Sequence, residues 1–347
     1  MSETFALLEP HTKKRFTIGG VFGFLYLFVG VFLPFYNYTL FHDKGKHFPG
    51  FPYPIAATLL QLVGVVVVLS VYSFFKKLPS HNRAFGRLYV YRLSFIWPVC
   101  LSQAINIMLM NQGLFMLNVS LHVLLRASEI IWVVLLTFFF KKERPQKLVL
   151  FCCSIVFVGT LFIVYHIVLQ KGVTQKSVWA VVIHFITTII SALNIVVFRV
   201  LILKLKNCSK HPIDAVELTI LNISTMAILI LPCALVFEPE FIPTLFQPNP
   251  KLWTMLGAGL VFTALYKLTF TALITQTTAV TVGVVSQLKV VVQVVLDVVL
   301  YKKYHSTVFM YLGAFFTCLG LVLYTKVKYD RFVREQNCLL ESSIKVN

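Results

Sequence analysis

Long apolar runs recur along the whole chain, and each contains about 20 residues or more. A helix rises about 1.5 Å per residue, so a run of this length crosses the roughly 30 Å hydrocarbon core of a bilayer. Only 13% of the residues are charged, about half of the ~25% usual in soluble domains. This composition excludes a soluble enzyme, a coiled coil and a disordered protein. We expect transmembrane helices near residues 17–40, 53–75, 92–116, 119–140, 148–169, 177–203, 214–237, 251–273, 277–301 and 305–326.

The distribution of basic residues predicts the orientation of these ten helices. The net charge of +18 comes from short clusters of Lys and Arg between the apolar runs. With both termini in the cytosol, most of these clusters fall on the cytosolic side, as the positive-inside rule requires. They form no continuous basic surface with interleaved aromatic residues, so no nucleic-acid partner is predicted. Residues 1–16 and 327–347 become cytosolic tails, and the N-terminus lacks the pattern of a cleavable signal.

A self-similarity at an offset of 161 residues divides the chain into two halves. Residues 123–146 align with 284–307, which places Lys141-Lys142 on Lys302-Lys303, and the same offset places Gly159 on Gly320. Five helices in each half would give the halves opposite orientations in the membrane. We therefore predict an all-α polytopic membrane protein with two inverted five-helix repeats, residues 17–170 and 177–326. Such repeats typically form a substrate site near the bilayer midplane.

Apart from those at the first or last residue of a span, four basic residues lie inside predicted spans: Arg126, Arg199, Lys267 and Lys289. A charge at the centre of a membrane helix costs roughly 2.5–3.5 kcal/mol on insertion scales, so such residues are functional candidates. Arg199 lies near the cytosolic end of its helix, where its side chain can reach the interface, and we assign it a structural role. The other three are candidate anion ligands.

Acidic residues beside these cations leave two interpretations open. His122, Arg126 and Glu129 share one face of the fourth predicted helix, and Asp297 lies two turns from Lys289. The first interpretation is a set of structural ion pairs that hold the bundle together. The second follows from the excess of bases over acids, because a buried surplus of positive charge requires an anion. Arg suits bidentate binding of phosphate or carboxylate, whereas Lys acts as a point charge.

Uncharged polar residues in neighbouring helices would fit a lined cavity, although each one alone is typical of a helix–helix hydrogen bond. They are Ser102, Gln103, Asn106, Asn111 and Gln112 in the third predicted helix and Tyr266, Thr269 and Thr271 in the eighth. His166 and His184 are single histidines in apolar runs and receive no role. The seven cysteines are scattered, and the sequence contains no glycine-rich nucleotide loop, metal-ligand cluster or catalytic triad. We predict no enzyme, cofactor or metal site.

Three short motifs carry a family resemblance. Residues 126–129 (R-A-S-E) are similar to the motif K-A-x-E-P, with Ile130 in place of the proline. Residues 286–293 (S-Q-L-K-V-V-V-Q) resemble N-x-L-K-R-V/I, and residues 265–268 (L-Y-K-L) resemble a tyrosine motif of the eighth helix. Together with the repeat and its dibasic helix ends, they resemble the drug/metabolite transporter superfamily. Within it, the chain is similar to the triose-phosphate translocator and nucleotide-sugar transporter branch.

The resemblance implies a secondary transporter that exchanges an anionic, phosphorylated metabolite by alternating access. Lys289 matches the substrate-binding lysine and Tyr266 the substrate-contacting tyrosine of that branch. Val290 stands where plastid phosphate translocators have arginine, which argues against a plastid-type exchanger of three-carbon phosphates. The complete predicted substrate site consists of Lys289, Arg126, Lys267, Tyr266, Asn106, Glu129 and His122.

Two other functions stay open at the level of sequence. A proton-coupled exporter of amino acids, drugs or other metabolites would use Glu129 as its protonation site, since buried carboxylates serve proton relays. A non-transporting scaffold or trafficking protein is the alternative from another class. The scaffold hypothesis rests on acidic dileucine motifs at Leu7-Leu8 and Leu339-Leu340, which are candidate sites for sorting adaptors. The motifs also favour a Golgi or endolysosomal membrane, and no plastid transit segment is present.

Overall fold

The computed structural model describes residues 10–42, 50–116, 122, 125–126, 128–141, 147–171, 175–208, 213–247, 249–276, 282, 285–286, 289, 292–293, 296 and 308–346. Within these ranges all regular secondary structure is helical. Its helices are α1 (Pro10–His42), α2 (Pro54–Phe75), α3 (Tyr89–Met116), α4 (Glu129–Lys141), α5 (Lys147–Lys171), α6 (Gln175–Cys208), α7 (Ala215–Phe237), α8 (Phe241–Leu245), α9 (Pro250–Gln276) and α10 (Val308–Val346).

Six segments of the described chain are long and apolar enough to cross a membrane. They are Gly20–His42, Pro54–Phe75, Tyr89–Met116, Val178–Ile202, Ala215–Phe237 and Pro250–Thr275. α5 and α10 contain shorter apolar segments, Lys147–Phe162 and Tyr311–Val327. The all-helical, multi-pass fold expected from the sequence is therefore confirmed. Most of the ninth predicted helix, with Asp297 and Lys302-Lys303, and part of the fourth lie outside the described residues.

Helix starts and ends differ from the sequence predictions where polar residues continue a helix beyond the bilayer. α1 begins at Pro10, within the predicted N-terminal tail, and α10 continues to Val346, through the predicted C-terminal tail. An α-helix satisfies its own backbone hydrogen bonds, so it can extend into water without an apolar face. The short α8 was not predicted at all, and Leu7-Leu8 lies outside the described residues.

Prolines act as the backbone chemistry requires. Pro34, Pro98 and Pro232 lie inside α1, α3 and α7. Pro54 and Pro250 begin α2 and α9, because proline's fixed φ suits the first turn, where no N–H partner is needed.

The helix starts of the second half follow the offset of 161 residues found in the sequence. Ala215 and Pro250 begin α7 and α9, and Pro54 and Tyr89 begin α2 and α3. Each of the first two starts lies 161 positions after its counterpart. These two pairs of helix starts therefore agree with the offset read from the sequence.

α5 and α10 cross at two glycines that are also related by this offset. A Cβ atom on Gly159 would lie 2.5 Å from Thr317 Oγ1, and a Cβ atom on Gly320 would lie 2.6 Å from Val156 Cγ2. Val156 and Thr317 are themselves 161 positions apart. Gly159 therefore packs against Thr317, and Gly320 packs against the equivalent residue of the other helix, Val156. Such close packing of backbones requires small residues at the crossing.

α2 and α7 are fixed together at both ends. At one end the Glu238 carboxylate accepts hydrogen bonds from the N–H groups of Ile55 (3.2 Å) and Ala56 (2.8 Å), at the start of α2. At the other end Lys76 Nζ lies 3.2 Å from Asp214 Oδ2. These contacts hold α2 and α7 together at both ends, beside the helices that carry the candidate site.

Candidate functional site

Lys289 lies in an aromatic cage inside the helical bundle. Its Nζ atom is 5.4 Å from the ring centroid of Tyr266 and 5.5 Å from that of Tyr26. The hydroxyl of Tyr26 lies 3.2 Å from the hydroxyl of Tyr266 and 2.9 Å from Ser286 Oγ. An ammonium over the faces of two rings is stabilised by their quadrupoles but is not neutralised by them.

α1 approaches this cage through a glycine. A Cβ atom on Gly30 would lie 2.7 Å from Lys289 Cδ and 3.2 Å from Tyr266 Cε2, so only a hydrogen fits there. Gln293 Nε2 donates to the carbonyl oxygens of Gly30 (3.0 Å) and Val31 (3.1 Å) and fixes the same contact. The sequence prediction missed Tyr26 and Gly30. Their spacing of four residues, which puts them on one face of α1, was the available signal.

Arg126 and Glu129 form the second part of the candidate site. Arg126 Nη2 lies 3.4 Å from Glu129 Oε2 and donates to Ser191 Oγ at 3.3 Å. Ser191 Oγ donates in turn to Glu129 Oε1 at 2.8 Å, and Arg126 Nη1 contacts the Met110 sulfur. Arg126 and Glu129, which the sequence places on one helix face, thus form an ion pair. α6 supplies the third member of the network, Ser191, which the sequence analysis did not single out.

The two parts of the site share one electrostatic environment. Tyr266 interacts with the charges of Lys289, Arg126 and Lys267, and Tyr26 interacts with that of Glu129. Within the described part of the chain, neither Lys267 nor Lys289 makes a salt bridge. Among the described residues, the charges that act on these two tyrosines are those of three bases and one carboxylate, Glu129, which pairs with Arg126. The described side chains around the cage therefore carry an excess of positive charge, and buried charges are stable only when they are paired.

Further buried polar groups lie on α3, on α6 and at His122, which precedes α4. The rings of His122 and His184 meet edge to face, with centroids 4.7 Å apart. Among the described residues, His122 Nδ1, Asn106 Oδ1 and Asn194 Nδ2 have no hydrogen-bond partner. A Cβ atom on Gly113 would lie 2.7 Å from the His184 ring. Unsatisfied buried donors and acceptors are costly, and binding of a polar ligand would satisfy them.

Some predicted cavity residues instead join helices to one another. Gln103 Oε1 accepts a hydrogen bond from Asn222 Nδ2 at 2.9 Å, and Asn111 Nδ2 donates to Thr58 Oγ1. Thr269 Oγ1 donates to the Leu265 carbonyl in its own helix at 2.7 Å. These side chains thus make hydrogen bonds within the helical bundle, as single polar residues in membrane helices typically do. The described residues contain no group of side chains that could hold a metal ion, and the side chain of Arg199 lies outside them.

Comparison with known families decides the identity of the chain. The sequence profile of the Triose-phosphate Transporter family matches residues 18–325, which include every candidate site residue named above. The chain belongs to the Triose-phosphate Transporter family. Members of this family are transporters and not enzymes. The protein is therefore a multi-pass membrane transporter of small solutes of the sugar-phosphate or nucleotide-sugar type.

Solved structures support the fold of this Triose-phosphate Transporter family member. One similar crystal structure covers 89% of this chain and 98% of its own, with a TM-score of 0.57 and 13% sequence identity. At such low identity the similarity concerns the fold alone. No sequence among the curated proteins is a significant match to the chain.

Proposed function

We propose that the protein is a secondary antiporter that exchanges a phosphorylated anionic metabolite, such as a sugar phosphate or a nucleotide sugar, by alternating access. The anion would bind between Lys289, Lys267 and Arg126. Tyr266 and Asn106 would orient the rest of the solute, with His122 and Glu129 at its edge. Tyr26 and His184 complete the proposed site.

One observation carries this proposal: three basic side chains lie around Tyr266, and among the described residues only Arg126 of the three has a carboxylate partner, Glu129. The Nζ atom of Lys289 lies 5.4 Å from the ring centroid of Tyr266 and 5.5 Å from that of Tyr26. Lys289 makes no salt bridge among the described residues. Among the described residues, Glu129 is the one carboxylate that pairs with any of these three bases. A phosphate dianion would balance the positive charge that this pairing leaves.

The proposed mechanism rests on two inverted repeats, residues 17–170 and 177–326, with cytosolic tails at 1–16 and 327–347. The equal separation of two pairs of helix starts supports the repeat, as do the reciprocal contacts of Gly159 and Gly320. Lys289 and Tyr266 belong to the second half, and Arg126 and Glu129 to the first. A site shared between two halves is opened to one side or the other when the halves rock about it. We propose a Golgi or endolysosomal membrane as the location, with sorting adaptors at the dileucine motifs.

Counterflow into proteoliposomes tests this function. Vesicles that contain the purified protein are preloaded with phosphate, sugar phosphates, nucleoside monophosphates, nucleotide sugars or amino acids, and uptake of labelled inorganic phosphate or labelled nucleotide sugar is followed. We expect a phosphorylated preload to accelerate uptake several-fold over empty vesicles. Uptake that is stimulated only by amino acids, or by no preload, would contradict the proposal.

Proton coupling through Glu129 is a second candidate, because its carboxylate is only 5% exposed and is held by Ser191 and Arg126. A buried carboxylate in this position could bind a proton when the arginine turns to the substrate. Glu129→Gln and an imposed pH gradient test the idea, with Glu240→Gln at an exposed position as the control. Proton coupling requires that the gradient drives uptake in the wild type and in the control but not in Glu129→Gln. If the gradient has no effect on the wild type, this candidate is excluded.

A further inference from the structure

A groove of about 660 Å³ lies between α1 and α9, separate from the cationic site. It is lined by Phe32, Phe35, Tyr36 and Thr39 from α1 and by Lys251, Thr254, Met255, Ala258 and Phe262 from α9. Both helices are membrane spans, and Phe32 and Ala258 are exposed on the outside of the bundle. The groove therefore opens towards the hydrocarbon of the bilayer, and lipid chains are the molecules that reach it.

The hydroxyl groups in the groove wall already donate hydrogen bonds to backbone carbonyls of the two helices. Thr39 Oγ1 donates to the Phe35 carbonyl at 3.0 Å, and Thr254 Oγ1 donates to the Pro250 carbonyl at 2.6 Å. The Tyr36 hydroxyl donates to the Met255 carbonyl across the groove. What remains for a ligand is a long apolar surface, which suits an acyl chain.

Lys251 provides the charge at one end of the groove. It is the second residue of α9, at the membrane boundary of that span, and its side chain is exposed. It makes no ion pair within the described chain. A lysine at the end of a span, beside an apolar groove, lies at the level of the lipid headgroups.

We propose that this groove binds an anionic phospholipid, with one acyl chain along α1 and α9 and the lipid phosphate at Lys251 Nζ. The net negative headgroup distinguishes this ligand from zwitterionic lipids, which carry a cation beside the phosphate. The same two helices continue inward to Tyr26, Gly30 and Tyr266. Bound lipid would therefore hold α1 and α9 at the spacing that the Lys289 cage requires.

Native mass spectrometry of the full-length protein in detergent tests the site with phosphatidylglycerol and phosphatidylcholine as probes. We expect the wild type to retain phosphatidylglycerol over phosphatidylcholine by about fivefold, the preference that one lysine near an anionic lipid surface provides. Lys251→Gln should lose this preference. Lys326→Gln, at an exposed lysine on α10, should keep it. Ala258→Phe should fill the groove and reduce retention of both lipids.

Three results would overturn the proposal. They are equal retention of the two lipids by the wild type, an unchanged preference in Lys251→Gln, and displacement of phosphatidylglycerol by millimolar inorganic phosphate. The last result would identify a site for free anions instead. Because lipid retention is measured without transport, this experiment can fail while the proposed antiport stands, and the reverse also holds.

Discussion

The ammonium group of Lys289 lies 5.4 Å from the ring centroid of Tyr266, and their helices come together only in the folded bundle. Tyr266 thereby faces Lys289 and also interacts with the charges of Arg126 and Lys267. The ring stabilises the cation without neutralising it. In the proposed site the charge of Lys289 is available to a ligand, and the first two predictions depend on it.

Lys289→Ala should abolish exchange. Truncation of one partner in a buried, charge-assisted contact costs about 2–5 kcal/mol, which corresponds to a loss of roughly 30-fold or more. Counterflow in proteoliposomes measures the loss, and Lys326→Ala should behave as the wild type. Size-exclusion chromatography establishes that both variants are folded. A folded Lys289→Ala protein with normal exchange would remove Lys289 from the site.

Gly30→Ala should weaken substrate binding while the protein still folds. The added Cβ atom would lie 2.7 Å from Lys289 Cδ, so the flexible lysine stem must move and carry its ammonium away from the cage. The concentration for half-maximal exchange should rise by about tenfold, for a contact worth about 1.4 kcal/mol. Gly20→Ala on the same helix is the matched control, since nothing lies within 4 Å of its added atom. Equal kinetics for the two variants would show that the close approach of α1 is irrelevant to binding.

Gly159→Ala should destabilise the α5–α10 contact. Its Cβ atom would lie 2.7 Å from the backbone nitrogen of Thr317, and a backbone atom cannot move aside cheaply. Overpacking of this kind costs about 1–3 kcal/mol, and a thermal unfolding scan should show a lower melting temperature. Gly257→Ala has open space around it and should not lower the melting temperature. If Gly159→Ala has the same melting temperature as the wild type, the two helices do not pack as closely at Gly159 as the structure shows.

Asp214→Ala should destabilise the protein more than Asp214→Asn. The Asp214 side chain accepts the N–H of Ala215 and caps α7, and it also pairs with Lys76. Asparagine keeps the cap, whose loss costs about 1 kcal/mol, whereas the exposed ion pair contributes less. Melting temperatures of the two variants measure the difference. If both lower the melting temperature equally, the cap has no separate contribution.

The Lys76–Asp214 pair also has a pH signature. The hydrogen bond to Asp214, together with its charge, raises the pKa of Lys76 above its usual value. A raised lysine pKa in the folded state stabilises the fold below the unfolded pKa, and this small contribution disappears as the pH rises through the folded value. Asp214→Asn should therefore melt closer to the wild type at strongly alkaline pH than at neutral pH. A difference that is independent of pH would exclude the ion pair as its source.

The sequence by itself determined the features that depend on local composition. Apolar length predicts spans because the bilayer imposes about 20 residues on each one, and α2, α3, α7 and α9 lie where expected. The rarity of charges in apolar runs identified Arg126, Lys267 and Lys289. The offset of 161 residues was readable because a few dibasic and glycine positions repeat, and the helix starts follow the same offset.

Only the tertiary structure decided which of these side chains meet. Tyr26 contacts Tyr266 across 240 positions and Ser286 across 260, a pairing that no local pattern encodes. Ser191 and His184 became site candidates because α6 packs on α4, whereas Gln103 and Asn111 became helix–helix contacts because α7 and α2 supplied partners. The physical reason is the same in each case. Hydropathy fixes which segments enter the membrane, but the hydrogen bonds and charges inside it are set by the packing of distant helices.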